Sequence, residues 1–432
     1  MIKSKRLFLL EFNELCPTLL ADFMRRGVLP NFQRLHDTSV IYTTDADEEA
    51  PHLEPWIQWL SVHSGLRYGE HGAYHLGDGR NFSEKCLAEI LSDAGIRVGV
   101  FGSMNTNYAN LNGYYIPDAW EAKARPQPES LAPFFDTVAR QVQESSQNGG
   151  LTKGVLAHFA AFMMTHGLTW QTIKAGIAQL AAERKDPGVS WRRASLLEKI
   201  QYDLFKYLDR KFRPQFATFF ANSTAHYQHY YWRNMHPEIF EMPPDQNDHP
   251  SLQFAIQYGY EQMDEIIGRF LDDYPDVTLV LCTALSQQPW TETTKCTFRP
   301  RKFESLLNLA GISVKAARVE PVMAEEFRVT FPDQSLAETG AEALASLSID
   351  GDPLIKLELK GTSVFTGCAV YDARAMQGDV EGAQGKRAKF RDLFHMVHSV
   401  RSGRHHPDGV LWIRDGRHAV VDEKVALIDI AP

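Results

Sequence analysis

The feature that most constrains this chain is a recurring alternation between short apolar runs and helical patterns. Leu7 to Leu10, Ile96 to Phe101, Phe216 to Ala221, Val277 to Cys282 and Val410 to Ile413 are dominated by apolar residues at consecutive positions rather than at every second one. A strand reads this way when both of its faces are buried, as in a parallel sheet covered on two sides. Ser39 to Thr43 adds one more strand-like run. Between them lie helical spacings over Glu54 to Ser64, Ser83 to Ala94, Glu129 to Glu144 and about Leu252 to Leu271. After the first run, Pro17 stands where a first helical turn tolerates it, Leu19, Leu20 and Phe23 recur at helical spacing, and Gly27 ends the pattern as a C-cap would. The alternation predicts an α/β fold: a doubly wound, mostly parallel sheet with helices on both faces.

Two segments break the rhythm. Residues 151–213 are almost wholly helical in pattern and read as a helical insertion. Residues 295–384 show short alternating stretches such as Ile355-Lys-Leu-Glu-Leu-Lys and read as a smaller α+β cap. The α/β core is then expected over 1–150, 214–294 and 385–432. With 45 Lys and Arg against 54 Asp and Glu, the formal charge of −9 argues against a nucleic-acid partner, which needs a basic face. Cys16, Cys86, Cys282, Cys296 and Cys368 are odd in number and never in CxxC spacing, so neither a disulfide framework nor a thiolate metal site is expected. The apolar run at the start stops at Glu11, too short for a signal peptide, and no stretch is long enough to span a membrane. A cytoplasmic protein is expected; the sequence carries no signal for an oligomeric state.

Five segments, in order, carry a resemblance. These are Gly27-Val-Leu-Pro-Asn-Phe-Gln-Arg-Leu35, Gly65-Leu-Arg-Tyr-Gly-Glu-His-Gly72, Ala225-His-Tyr-Gln-His-Tyr-Tyr-Trp-Arg233, His405-His-Pro-Asp-Gly409, and Ala426-Leu-Ile-Asp-Ile-Ala-Pro432. Together they resemble the alkaline phosphatase superfamily, in particular its phosphodiesterase and nucleotide pyrophosphatase-like branch. The resemblance covers the α/β core at both ends of the chain and neither of the two inserted segments. It implies two divalent metals held by Asp and His, and a Ser or Thr nucleophile aligned for in-line attack. Most of the matching positions depart from that pattern. The first-strand Asp falls on Asn13 or Glu11, the nucleophile on Glu54 or Pro55, and the Asp of the metal motif on Ala225. The Asp and His expected after Val277 to Cys282 are Ala284 and Leu285. His229 and His405 are the two of six expected ligands that are retained. Ala and Leu offer a cation nothing, so a two-zinc phosphatase is rejected.

Open α/β sheets place their clefts at the carboxyl ends of the strands, where all the aligned positions belong. Glu11, Asn13 and Glu14 are expected there after the first strand, with Glu54, Trp56 and Gln58 from the helix over Glu54 to Ser64, where the resemblance puts the nucleophile. His226 and His229 follow a middle strand, Ser286, Gln287 and Gln288 the next, and His405 and His406 come from the end. We expect His229, His405, Glu54 and Glu11 in catalytic roles as imidazole and carboxylate acid and base groups. Asn13, Trp56, Gln58, His226, Gln287 and Gln288 are expected to bind substrate. Several have a plainer alternative: histidines among aromatics as packing groups, Glu54 as a helix N-terminal charge, Trp56 as core. No cofactor is expected with assurance; a single divalent ion such as zinc would have His229 and His405 as ligands. The ligand class is a small phosphorylated or carbohydrate molecule. Sequences of this altered type are associated with cell-surface polysaccharide biosynthesis. The alternatives to a metal-free or single-metal enzyme are a pseudoenzyme that binds such a ligand, or a scaffold that uses its helical insertion.

Overall fold

The computed structural model describes residues 6–121, 124–144, 152–322, 326–398 and 400–431. Two compact units are present, one formed by 1–139, 151–291 and 402–432, the other chiefly by Glu292–Arg401.

The first unit is built on a nine-stranded sheet. Leu7–Phe12 lies at its centre, in parallel register with Phe216–Ala221 on one side and Thr278–Cys282 on the other. That position explains why its residues are apolar in succession: Phe8 through Phe12 are all buried. Beyond Phe216–Ala221 come Val98–Phe101 and Gly113–Ile116, again parallel. Beyond Thr278–Cys282, Asp408–Arg414 runs antiparallel and pairs also with Ser39–Asp45. The doubly wound, mostly parallel sheet expected from the sequence is the architecture observed.

Both faces are covered. On one, Phe8 meets Phe205 at 5.4 Å between ring centroids, and Phe205, Phe219 and Phe270 pack edge to face, so helices Leu196–Phe212 and Ala255–Asp273 seal this side. Such aromatic pairs contribute about 0.5–1.5 kcal/mol each beyond the area they bury. On the other, helix Pro55–Ser64 presses Trp59 against Phe220, with ring centroids 5.8 Å apart. The segment read as a helical insertion holds helices Lys153–Thr165, Trp170–Lys185 and Leu196–Phe212 and belongs to this same unit. Among the described residues no helix is long and apolar enough to cross a membrane.

The second unit carries two four-stranded antiparallel sheets and helix Gln334–Ala345. It extends past residue 384, where the sequence placed the end of the cap. Asp379–Glu381 pairs with Arg387–Lys389, and Phe394–His398 returns to pair with Thr297–Pro300. The second pairing joins short strands about a hundred residues apart, which no local pattern marks.

Candidate functional site

Three chain segments meet at the carboxyl ends of the central strands. The first is the turn after Leu7–Phe12, where Glu14 adopts φ 62°, a left-handed conformation that side chains rarely take. Strain of this kind persists only where surrounding contacts over-determine it. Here the Gln228 amide donates to the Glu14 carbonyl at 2.6 Å, and the Tyr260 hydroxyl donates to Gln228 Oε1 at 2.8 Å. The second segment is helix Ser223–Met235, which follows Phe216–Ala221 and presents Gln228 to the core and His229 beside it. The third is strand Gly403–His406, held antiparallel to Ser286–Pro289 so that His405 stands opposite Gln287.

The Glu14 carboxylate is the centre of this meeting. His229 Nε2 lies 3.3 Å and His405 Nε2 3.7 Å from its Oε2. The two imidazole rings are 5.4 Å apart between centroids. Gln287 Nε2 also donates to Oε2, while Asn13 Nδ2 donates to Oε1 at 3.0 Å. Burial pushes the Glu14 carboxyl up, but His229, His405 and the bonds from His229 and Gln287 outweigh it and hold the group down at about 2. Glu14 is therefore a buried anion. Asn13 in turn accepts from Trp59 Nε1 at 2.8 Å and donates to Asn222 Oδ1 at 2.8 Å, so its amide orients Glu14 instead of facing a ligand.

His405 carries a further constraint. Its Nδ1 is 2.8 Å from the Leu53 carbonyl oxygen, which only accepts, so Nδ1 bears a proton. Nε2 then faces the Glu14 carboxylate either as part of an imidazolium or as a lone pair that needs a cation between the two. Glu14, His229 and His405 each offer one ligand atom, and these lie within 4.8 Å of one another. Donors about 2.1 Å from a tetrahedral zinc would stand about 3.4 Å apart, close to the two distances seen. The Nδ1 bond to a backbone carbonyl is the outer support that metal-binding imidazoles ordinarily have. Two imidazoles and a carboxylate thus fit one divalent ion of the zinc, iron or manganese kind. Among the described residues this is the one group of three or more His, Cys, Asp or Glu side chains that comes so close together.

Glu54 is the residue before helix Pro55–Ser64; its side chain caps no backbone group, and its Oε2 is 3.5 Å from His405 Nδ1. Gln288 Nε2 reaches the His405 carbonyl at 3.5 Å. The remaining sequence candidates stand elsewhere. Trp56 donates to the Tyr74 carbonyl at 2.8 Å. Gln58 donates to the His52 carbonyl at 3.0 Å and lines a separate pocket with Ser61, Asp45 and Asp47. His226 is packed against Tyr227, Tyr230 and Tyr231, and burial, then repulsion from His229, pushes it down to about 4, so it is neutral. Glu11 belongs to a different cluster, with its Oε1 3.6 Å from His63 Nε2 and accepting from the Ser103 hydroxyl at 3.1 Å. Burial pushes Glu11 up to about 8 against the pull of Ser103, and pushes His63 down to about 4. Reading the sequence put Glu14 in the cleft but gave it no role; the one local signal was an acid directly after a buried strand.

No known family model matches this chain, and no curated protein matches it in sequence. Solved structures do resemble it. Wild-type alkaline phosphatase PafA superposes with a TM-score of 0.49 at 11% identity, over 100% of this chain and 95% of that one. Phosphonoacetate hydrolase from Sinorhizobium meliloti 1021, in complex with phosphonoformate, gives 0.42 at 13% identity, over 99% and 94%. Murine ectonucleotide pyrophosphatase/phosphodiesterase 5 gives 0.39 at 8% identity, over 99% and 93%.

Proposed function

We propose that this chain is a hydrolase or transferase acting on a small phosphorylated substrate, with one divalent cation such as zinc held by Glu14, His229 and His405. The observation that carries the reading is the convergence of those three ligand atoms, from three segments, around a carboxylate that stays ionised although buried. Bound there, a divalent ion supplies Lewis-acid polarisation of a phosphoryl oxygen. The chain's own groups do the rest. Asn13 and Gln287 fix the Glu14 carboxylate by donating to its two oxygens. The Leu53 carbonyl fixes the His405 tautomer, which leaves Nε2 on the Glu14 side. Glu54, partly exposed and 3.5 Å from His405 Nδ1, takes a proton from an incoming water or hydroxyl in this reading, the work of a general base. The N-terminus of helix Pro55–Ser64 adds a field that favours an anionic group at the same place.

The phosphoryl class rests on the five sequence segments and on the chemistry of the donor set. Within it we place a phosphorylated sugar, where phosphoryl chemistry meets the expected link to cell-surface polysaccharide biosynthesis. Elemental analysis of the purified chain should find about one equivalent of a divalent metal, lost in His229→Ala. Turnover should appear on a panel of phosphate monoesters, diesters and phosphonates; a metal-free protein would overturn the proposal. A second reading, a pseudoenzyme that binds such a ligand, is favoured by the missing hydroxyl at Glu54 and Pro55 and by the buried Ala225, Ala284 and Leu285. It predicts calorimetric binding of panel members with no turnover of any.

A further inference from the structure

Helices Lys153–Thr165 and Trp170–Lys185 leave an apolar surface uncovered. Five of the twelve large apolar side chains that remain exposed among the described residues fall in them: Met164 is 74% exposed, Trp170 63%, Ile177 57%, Leu180 56% and Leu156 48%. The first helix is apolar nearly all round. Phe162 and Met163 are buried on one side and Phe159 stacks on Phe134, while Leu156, Ala160 and Met164, at i, i+4 and i+8, form a separate exposed row. In the second helix Trp170, Ile173, Ile177 and Leu180 recur at spacings of three and four and share one face. A helix this apolar is ordinarily buried all round, and exposed apolar rows of this kind mark a docking surface.

Charge selects what docks. From 153 to 185 the chain has four basic residues, Lys153, Lys174, Arg184 and Lys185, all exposed, against the single acid Glu183, and Glu183 is paired with Arg193. This is a basic stretch in a chain of net charge −9. The Lys174 ammonium stands 5.7 Å from the centre of the Trp170 ring. A second copy packed face to face about a two-fold axis would set these basic side chains against their own duplicates. An anionic bilayer surface meets both requirements: its headgroups pair with Lys and Arg, the interface takes up Trp, and the acyl boundary takes up Leu, Ile and Met.

We propose that these two helices dock the protein peripherally onto an anionic lipid surface. The test is flotation of the full chain with phosphatidylcholine vesicles prepared with and without phosphatidylglycerol. The chain should float with the anionic vesicles, far less with the neutral ones, and progressively less as salt rises. Lys174→Gln and Lys185→Gln should each lower partitioning about fivefold, the equivalent of about 1 kcal/mol per basic side chain. Met164→Glu combined with Ile177→Glu should abolish flotation while the thermal melt stays that of the wild type, because both positions are exposed. Three results would overturn the proposal: no flotation with anionic vesicles, flotation unchanged in the double Glu variant, or a dimeric mass in light scattering that this variant reduces to a monomer. The last would assign the face to a second copy.

Discussion

Glu11 and Glu14 are three residues apart at the end of one strand, both buried and both facing histidine, yet one is charged and the other neutral. Glu14, despite its burial, is held at about 2 by two imidazoles and the Gln287 amide, whereas burial raises Glu11, with His63 and one hydroxyl beside it, to about 8. Glu14 is an anion that gathers imidazole and amide groups around it, and Glu11 is a neutral acid sealed into the sheet. Burial raises both; the number and kind of donors that reach the carboxylate decides which way the balance falls. A cleft candidate is therefore identified by its satisfied donors, and its place after a strand is insufficient.

The comparison can be broken most forcefully at Glu14. Glu14→Gln keeps the shape and removes the charge, and metal affinity should fall by more than about 100-fold, the loss that even outer partners of a metal can cause. Elemental analysis after dialysis reads the outcome, and retention of the ion would dissolve the distinction between the two carboxylates. Glu54→Gln comes next. It should keep the metal but lower kcat by about 100-fold or more in steady-state assays on a phosphate ester, the ordinary contribution of a general base.

At Glu11 the expected effect lies in stability instead of chemistry. Its folded pKa, about 8, is above the usual value of 4.5, so the folded state holds a proton that the unfolded chain releases between those two values. The stability it contributes is complete below pH 4.5 and is lost as pH rises through about 8. Glu11→Gln should therefore flatten this alkaline decline and leave the mutant more stable at pH 8 by roughly 2–4 kcal/mol in urea unfolding, with metal content unchanged. A mutant that unfolds in parallel with the wild type at every pH would show that Glu11 is charged in the fold. The smallest change is expected at the supports: Gln287→Ala should cost about 1–3 kcal/mol by withdrawing a donor from a buried carboxylate, measured as a shift in the urea midpoint.

Much of the frame of this protein was readable before any coordinates. Leu7–Phe12, Phe216–Ala221 and Thr278–Cys282 are apolar at consecutive positions because each is covered on both faces, and that burial leaves its mark residue by residue. His229 and His405 were readable as a pair because segments around them resemble a known family, and their rings do stand 5.4 Å apart. Trp56, Gln58 and His226 share the neighbourhood in sequence but point their polar atoms to other partners. The direction of a side chain on a helix is set by what packs around that helix, which the sequence leaves open.

The sequence by itself determined the alternation of strands and helices, and with it the sheet and the cleft end of the strands. These are local properties: consecutive apolar residues and turn residues. Only the tertiary structure decided that Glu14 is the centre and Glu11 is not. That choice depends on a left-handed turn held by Gln228, on parallel pairing with strands more than two hundred residues away, and on which donors reach a carboxylate that burial would otherwise neutralise.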